Sequence, residues 1–228
     1  MKKEKIVLSL GGSQIIPENI NYKYLKEFKK VILKNKNKFD FIIVCGGGSI
    51  ARKYISSLEK EKISTKLQSF AGISITRANA RFVSYFFNKN TRYGIPHTFK
   101  TLRKYLKKQG IVFCGALEYH PNQTSDSTSA RIAKKFNARF INLTNVKGLY
   151  NKNPKTNKNA KLVNQISWKN FHKIATKIEF KPGQHFVLDQ KASKIILKKK
   201  ILTYILKSPK QLDNLLKDKK FIGTTISG

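Results

Sequence analysis

Short apolar runs alternate along this chain with longer stretches whose apolar residues recur every three or four positions. Residues 5–10 (KIVLSL) read as a strand that enters a Gly11-Gly12-Ser13 turn. Pro17 and Asn19 precede a helix that gathers Tyr24, Leu25, Phe28, Val31 and Ile32 on one face. Unbroken apolarity over 40–45 (DFIIVC) predicts a second strand covered on both sides. Helices are predicted over 49–60, 67–88 and 126–136, and strands over 110–114 (GIVFC) and 139–143 (RFINL). Ser167 is placed to cap a helix beginning at Trp168. Residues 189–199 and 211–217 read as helical, 201–206 and 220–226 as extended.

This alternation predicts an α/β fold, a three-layer α/β/α sandwich with a mostly parallel central sheet. Such sheets bind ligands beyond the carboxyl ends of their strands. Every glycine-rich or polar loop of interest here follows a strand. The 228 residues suit one domain with a full core, and residues 151–161, rich in Asn and Lys, read as a mobile loop. No apolar run reaches the roughly 18 residues that a membrane span requires. The start, "MKKEKIVLSLGG", is basic and then apolar, but it runs into two glycines rather than a cleavage site and is read as a strand. Cys45 and Cys114 lack CxxC spacing and read as reduced thiols of a cytoplasmic protein.

Charge changes the picture in two ways. With 47 Lys and Arg against 12 Asp and Glu, the net charge is +35. That balance suits a nucleic-acid partner, yet the cations are spread from end to end without a basic-helix or zinc-ligand signature. The alternative is a surface on which Lys has replaced acids, and nucleic acid is not the expected partner. Either way the field attracts anionic ligands. Between residues 62 and 178 only Glu118 and Asp126 are acidic, so an acid retained in a polar loop invites a reason.

"LGGSQ" and "CGGGSIARK" are one device used twice: glycines let backbone N–H groups converge before a helix N-terminus, which suits phosphate. The expectation is two such cradles facing each other across a cleft. Neither is a P-loop or GxGxxG. Arg52 lies one helical turn past Gly48, either reaching back to a phosphate or solvated; Lys53 reads as solvated. In "HPNQTSD" the cluster Thr124, Ser125 and Asp126 is either a helix cap or a grip on a ligand, with Asp126 orienting nearby cations. His120 faces the ligand or bonds its own loop. "TNVKGLY" offers a Gly turn and a Tyr suited to stacking on a base, and Asp189 stands at a helix start, where the dipole favours a carboxylate.

Taken in order, "LSLGGS", "VCGGGSIARKY", "GISITRANA", "HPNQTSD", "LTNVKGLYNKNP", "VLDQKASKII" and "GTTI" resemble the archaeal-type uridylate (UMP) kinases of the amino acid kinase superfamily. The resemblance implies transfer of the γ-phosphoryl of Mg-ATP to UMP in pyrimidine nucleotide biosynthesis, by a cytoplasmic homohexamer. It implies a UMP-binding lobe over about 1–137 and an ATP-binding lobe over about 138–228. Gly12, Ser13, Gly48 and Arg52 would contact the ATP phosphates; Thr144, Asn145, Tyr150 and Asn153 would line the adenine-nucleotide pocket. Gly47 and the loop His120, Pro121, Asn122, Gln123, Thr124 and Ser125 would hold UMP, with Ser69 at the ribose. Asp126, Asp189 and Arg52 would be the catalytic set. Magnesium would arrive with ATP, and no protein metal site is assigned.

Several positions depart from that pattern. Ser9 stands where many members carry a lysine, and Ser69 and Asn153 stand where acids are usual. Lys147 replaces the acid of NVDG and is a candidate for the missing phosphoryl-facing charge. The loop before His120, "GALEY", is about two residues longer. These departures keep open a weakened, nucleotide-binding homologue or a kinase of another small phosphate acceptor.

Overall fold

The computed structural model describes residues 3–88, 94–121, 124–154, 156–177 and 187–228. Strands β1 (Glu4–Leu10), β2 (Phe39–Cys45), β3 (Ile111–Cys114) and β4 (Arg139–Leu143) are parallel and carry the apolar runs read from the sequence. Adding β7 (Gln165–Ile166), β8 (Thr203–Leu206) and β9 (Thr224–Ile226) gives a seven-stranded sheet of order β3-β2-β1-β4-β8-β9-β7. Among the described residues the one antiparallel pairing in this sheet is β8 with β9, and β7 runs parallel to β9. The predicted mostly parallel sheet is therefore present, with two reversed strands, β9 and β7, at one edge.

Register positions the site. Leu10 lies opposite both Cys45 and Leu143. The three central strands thus end on one line, and the loops starting at Gly11, Gly46 and Thr144 emerge side by side. Alternate residues of β1 enter opposite cores. Ile6, Leu8 and Leu10 pack with α2 (Tyr22–Asn35), α4 (Thr65–Phe86) and α9 (Pro209–Leu216). Val7 packs with α5 (Phe99–Gln109), α6 (Ser125–Phe136) and α8 (Gln190–Lys199). Ser9 shares the side of Val7 and so points toward α6.

Helix α5 is absent from the sequence expectation. Thr98 and Thr101 form a reciprocal capping box with both N–H···Oγ1 distances at 3.2 Å. Gly110, at φ +69°, closes the helix by donating to Leu106 O. Leu102 and Leu106 are its buried residues, and Phe99 and Tyr105 pack partly buried beside them; this apolar period is interleaved with five Lys and Arg. The C-terminal strand is shorter than expected, because only Thr224–Ile226 pairs. The loop predicted to be mobile is closed across its base: Asn151 N–H donates to Lys161 O at 3.1 Å, and Lys161 N–H to Asn151 Oδ1 at 2.8 Å. It joins β5 (Leu149–Tyr150) to β6 (Leu162–Val163), a hairpin pinned to the sheet by Thr224 Oγ1, which accepts from Leu149 N–H and donates to Val163 O.

Candidate active site

The glycines after β1 and β2 are explained first by each other. A Cβ on Gly12 would lie 1.9 Å from the Gly48 nitrogen, and one on Gly46 2.4 Å from the Gly12 nitrogen. Gly48 also has φ +68°, a conformation that suits glycine. The two loops therefore abut, backbone on backbone, rather than face each other across a gap as expected. The result is one continuous cradle between α1 (Gly12–Ile15) and α3 (Gly48–Lys60). The N–H groups of Gly12, Gly47 and Gly48 donate to nothing among the described residues, which leaves three adjacent donors for an anion.

The segment "ITRANA" holds this cradle in place. Asn79 Nδ2 donates to Gly46 O at 2.8 Å and Gly47 O at 3.1 Å. Thr76 Oγ1 accepts from Ala116 N–H at 3.0 Å, while Arg77 donates to Ala116 O at 3.0 Å and Leu117 O at 2.7 Å. A Cβ on Gly115 would meet Arg77 N at 2.5 Å. One helical stretch thus fixes the loops after both β2 and β3. Its spacing shows in the sequence; its partners do not.

The cradle floors a cleft of ≈ 780 Å³. Of the expected residues, Gly12, Ser13, Gly47, Gly48, Arg52, Ser69, His120, Thr124, Ser125, Asp126, Thr144, Asn145, Tyr150, Asn153 and Asp189 all line it. Pro121 does not; its carbonyl accepts from Lys191 Nζ at 2.5 Å. Asn122 and Gln123 lie outside the described residues. Lys147 is exposed and not part of the cleft lining; Lys152 lines the cleft instead. Sequence reasoning also missed Asn142, whose amide donates to Val187 O, and Tyr119, whose ring lies tilted against Phe70 with 5.0 Å between centroids. Glu118 lines the rim and pairs with Arg131 at 3.4 Å and His120 at 3.5 Å.

The two aspartates have different tasks. Asp189 is buried, caps α8 through Ala192 N–H at 2.7 Å, and reaches across to the start of α6. There it accepts from Ser127 N–H (3.1 Å), Ser127 Oγ (2.5 Å), Thr124 Oγ1 (2.6 Å) and Thr124 N–H (3.3 Å). One carboxylate thus satisfies orphan donors of two helices. Asp126 accepts from the buried Ser9 hydroxyl at 2.8 Å, and its Oδ2 has no hydrogen bond among the described residues. Burial, and then the Asp189 charge, push its carboxyl up to about 7; the Ser9 bond pulls the other way. No Lys or Arg among the described residues pairs with either aspartate. The expectation that Asp126 orients nearby cations is thus corrected: its partner is Ser9, the residue standing where a lysine is common.

A mostly parallel sheet with ligand loops at its carboxyl ends, floored by free amides and flanked by the buried Asp189 and the half-buried Asp126, defines a phosphate-handling α/β protein. The sequence model of the amino acid kinase family matches residues 4–207, and the chain belongs to that family. It is 32% identical over 225 residues to the uridylate kinase of Archaeoglobus fulgidus, covering 98% of this chain and 100% of that one. The uridylate kinase of Pyrococcus abyssi is 31% identical over 225 residues, covering 97% and 99%. The crystal structure of the Archaeoglobus fulgidus uridylate kinase superposes with TM-score 0.84 over 98% of this chain and 100% of that one. The UMP kinase of Ureaplasma parvum, 20% identical and fully covered on both sides, shares the fold at TM-score 0.81.

Asp126 makes stability depend on pH. The folded chain keeps this proton up to about pH 7, whereas the unfolded chain has released it by the ordinary 3.8. The group's contribution is therefore complete below about pH 4 and is lost as pH rises through about 7. Denaturant titrations across that window should show the fall, and Asp126→Asn should flatten it. Ser9→Ala should raise the Asp126 value further, by roughly one unit, as read from carboxyl NMR shifts. Asp189→Ala strands donors on both helices and should cost about 3–5 kcal/mol, lowering Tm by about 6–20 °C; a loss under about 1 kcal/mol contradicts the two-helix brace.

Proposed function

We propose that this chain is a uridylate kinase, transferring the γ-phosphoryl group of ATP to the phosphate of UMP to yield ADP and UDP. The observation that carries the reading is the continuous amide cradle at the floor of a single cleft, in a chain of this family over most of its length. Two nucleotides meeting end to end need donors around the moving group, and positioning plus electrostatics then supply most of the rate.

In this reading Gly12, Ser13, Gly48 and Arg52 take the ATP phosphates, and Thr144, Asn145, Tyr150 and Asn153 the rest of that nucleotide. Gly47, Thr124 and Ser125 take the UMP phosphate and sugar, with His120 and Ser69 along the same wall. The division is residues 1–137 for UMP and 138–228 for ATP. Lys152, which lines the cleft, takes the phosphoryl-facing role first considered for Lys147. Asp189 acts through position, because it is saturated by its helix contacts.

Magnesium fits this site only as a companion of ATP. Among the described residues no three His, Cys, Asp or Glu converge as a cage, and Mg²⁺ is commonly held by one or two carboxylates plus substrate phosphates. The free Oδ2 of Asp126 is the group that would meet it. Bound there, the ion would neutralise charge on the phosphates, and its approach favours the ionised form of Asp126. The reading extends to pyrimidine nucleotide biosynthesis in the cytoplasm by a homohexamer; exposed Tyr54, Leu67 and Phe70 on α3 and α4 leave apolar surface for further copies. No described helix is long and apolar enough to cross a membrane.

Incubation with Mg-ATP and UMP, CMP, dUMP or isopentenyl phosphate should give UDP and ADP from UMP. Arg52→Ala should lower kcat by about 10²–10³. Binding of UMP without ADP production would instead favour the weakened homologue.

A further inference from the structure

The excess positive charge is not gathered at the active cleft. Among the described residues, the only Lys and Arg in its lining are Arg52 and Lys152. A second concavity, ≈ 520 Å³, is lined by Phe99, Lys100, Arg103, Lys104 and Lys107 of α5 and by Lys135 in the last turn of α6. Five of its six lining residues are cations and none is an acid. All five are exposed, and none pairs with a carboxylate among the described residues. The nearest acids in sequence are committed elsewhere: Glu118 to Arg131 and His120, Asp126 beneath the cleft.

The basin is built rather than incidental. Buried Leu102 and Leu106 fix α5 so that its opposite side carries the cations. Lys100, Lys104 and Lys107 follow one another at helical neighbour spacing, about 5–6 Å apart at Cβ. The Arg103 guanidinium rests 6.0 Å from the Phe136 ring centroid, which holds it at the basin wall. Five like charges held together repel, and this raises the free energy of the folded state until an anion neutralises them.

We infer that this basin binds the phosphodiester backbone of a nucleic acid, without reading its sequence. A row of cations along a groove matches a linear chain of single negative charges, and release of counterions supplies the affinity. A lipid surface fits less well. None of the large exposed apolar residues, Tyr54, Tyr85 and Ile222 among them, belongs to α5 or α6, so nothing there enters a bilayer. A second copy meeting its own basin would set cation against cation.

The probes are fluorescein-labelled rU20 and dT20, titrated with the full chain by anisotropy across a series of KCl concentrations. Both should bind alike, because only the backbone is contacted, with log K falling linearly against log salt. Neutralising the basin (Lys100→Gln, Arg103→Gln, Lys104→Gln, Lys107→Gln and Lys135→Gln) should make the slope shallower by about 3–4, at roughly 0.7 per lost phosphate contact. UMP phosphorylation should be unchanged, since none of these residues lines the cleft; that retained activity also reports folding. If the five-fold variant does not fold, Lys104→Gln with Lys107→Gln should shift the slope by about 1.4. Five exposed lysines neutralised elsewhere (Lys23, Lys26, Lys30, Lys210 and Lys220) should change it little. An unaltered slope in the basin variant, an equal effect in the control variant, or basin-dependent binding to acidic phospholipid vesicles alone would overturn the inference.

Discussion

Two main-chain loops touching without side chains between them is the constraint on which this molecule is organised. The Gly12–Gly48 approach leaves no room for a Cβ, so the ends of β1 and β2 must be level, and the shared register at Leu10 and Cys45 makes them so. Everything that surrounds the contact reads as support. Asn79 ties the carbonyls of Gly46 and Gly47, and Gln14 reaches from the first loop to the Thr144 and Lys207 carbonyls. With the carbonyls held away, free amides remain to form the floor.

Around that floor, charge is handled by separation. The two cleft carboxylates have no cationic partners among the described residues; they accept from hydroxyls and amides, which lowers the penalty of desolvation without ion pairs. Most of the cations sit outside, where solvent screens them. A surface that is almost uniformly positive can thus coexist with an acidic interior. Desolvation, more than the surface field, sets how readily Asp126 holds its proton.

Much of the fold was legible in the sequence because its signals are strong and local. Apolar runs marked the four parallel strands β1 to β4, and Ser167 marked the start of its helix, accepting from Asn170 N–H as an N-cap does. Helix α5 was missed although Phe99, Leu102, Tyr105 and Leu106 carry a helical apolar period, because five Lys and Arg are interleaved with them. The glycine pairs were recognised as phosphate cradles, yet their mutual contact was not, since which loops adjoin depends on strand order. Asp189 illustrates the same limit: an acid at a helix start is visible locally, but its hold on α6, 62 residues earlier at Ser127, is a tertiary fact. Lys147 and Lys152 were indistinguishable in a row of polar residues, and it is the folded loop that brings Lys152, not Lys147, to the cleft wall.

The floor of amides has a consequence for how such a chain tolerates drift. Its anion-gripping atoms belong to the main chain, which every amino acid except proline supplies alike. Exchange of acids for lysines over the outside can therefore run far without rewriting those atoms, so long as the positions that must remain bare stay bare. A protein can come to look unlike its relatives in composition and still present the same hand to a phosphate.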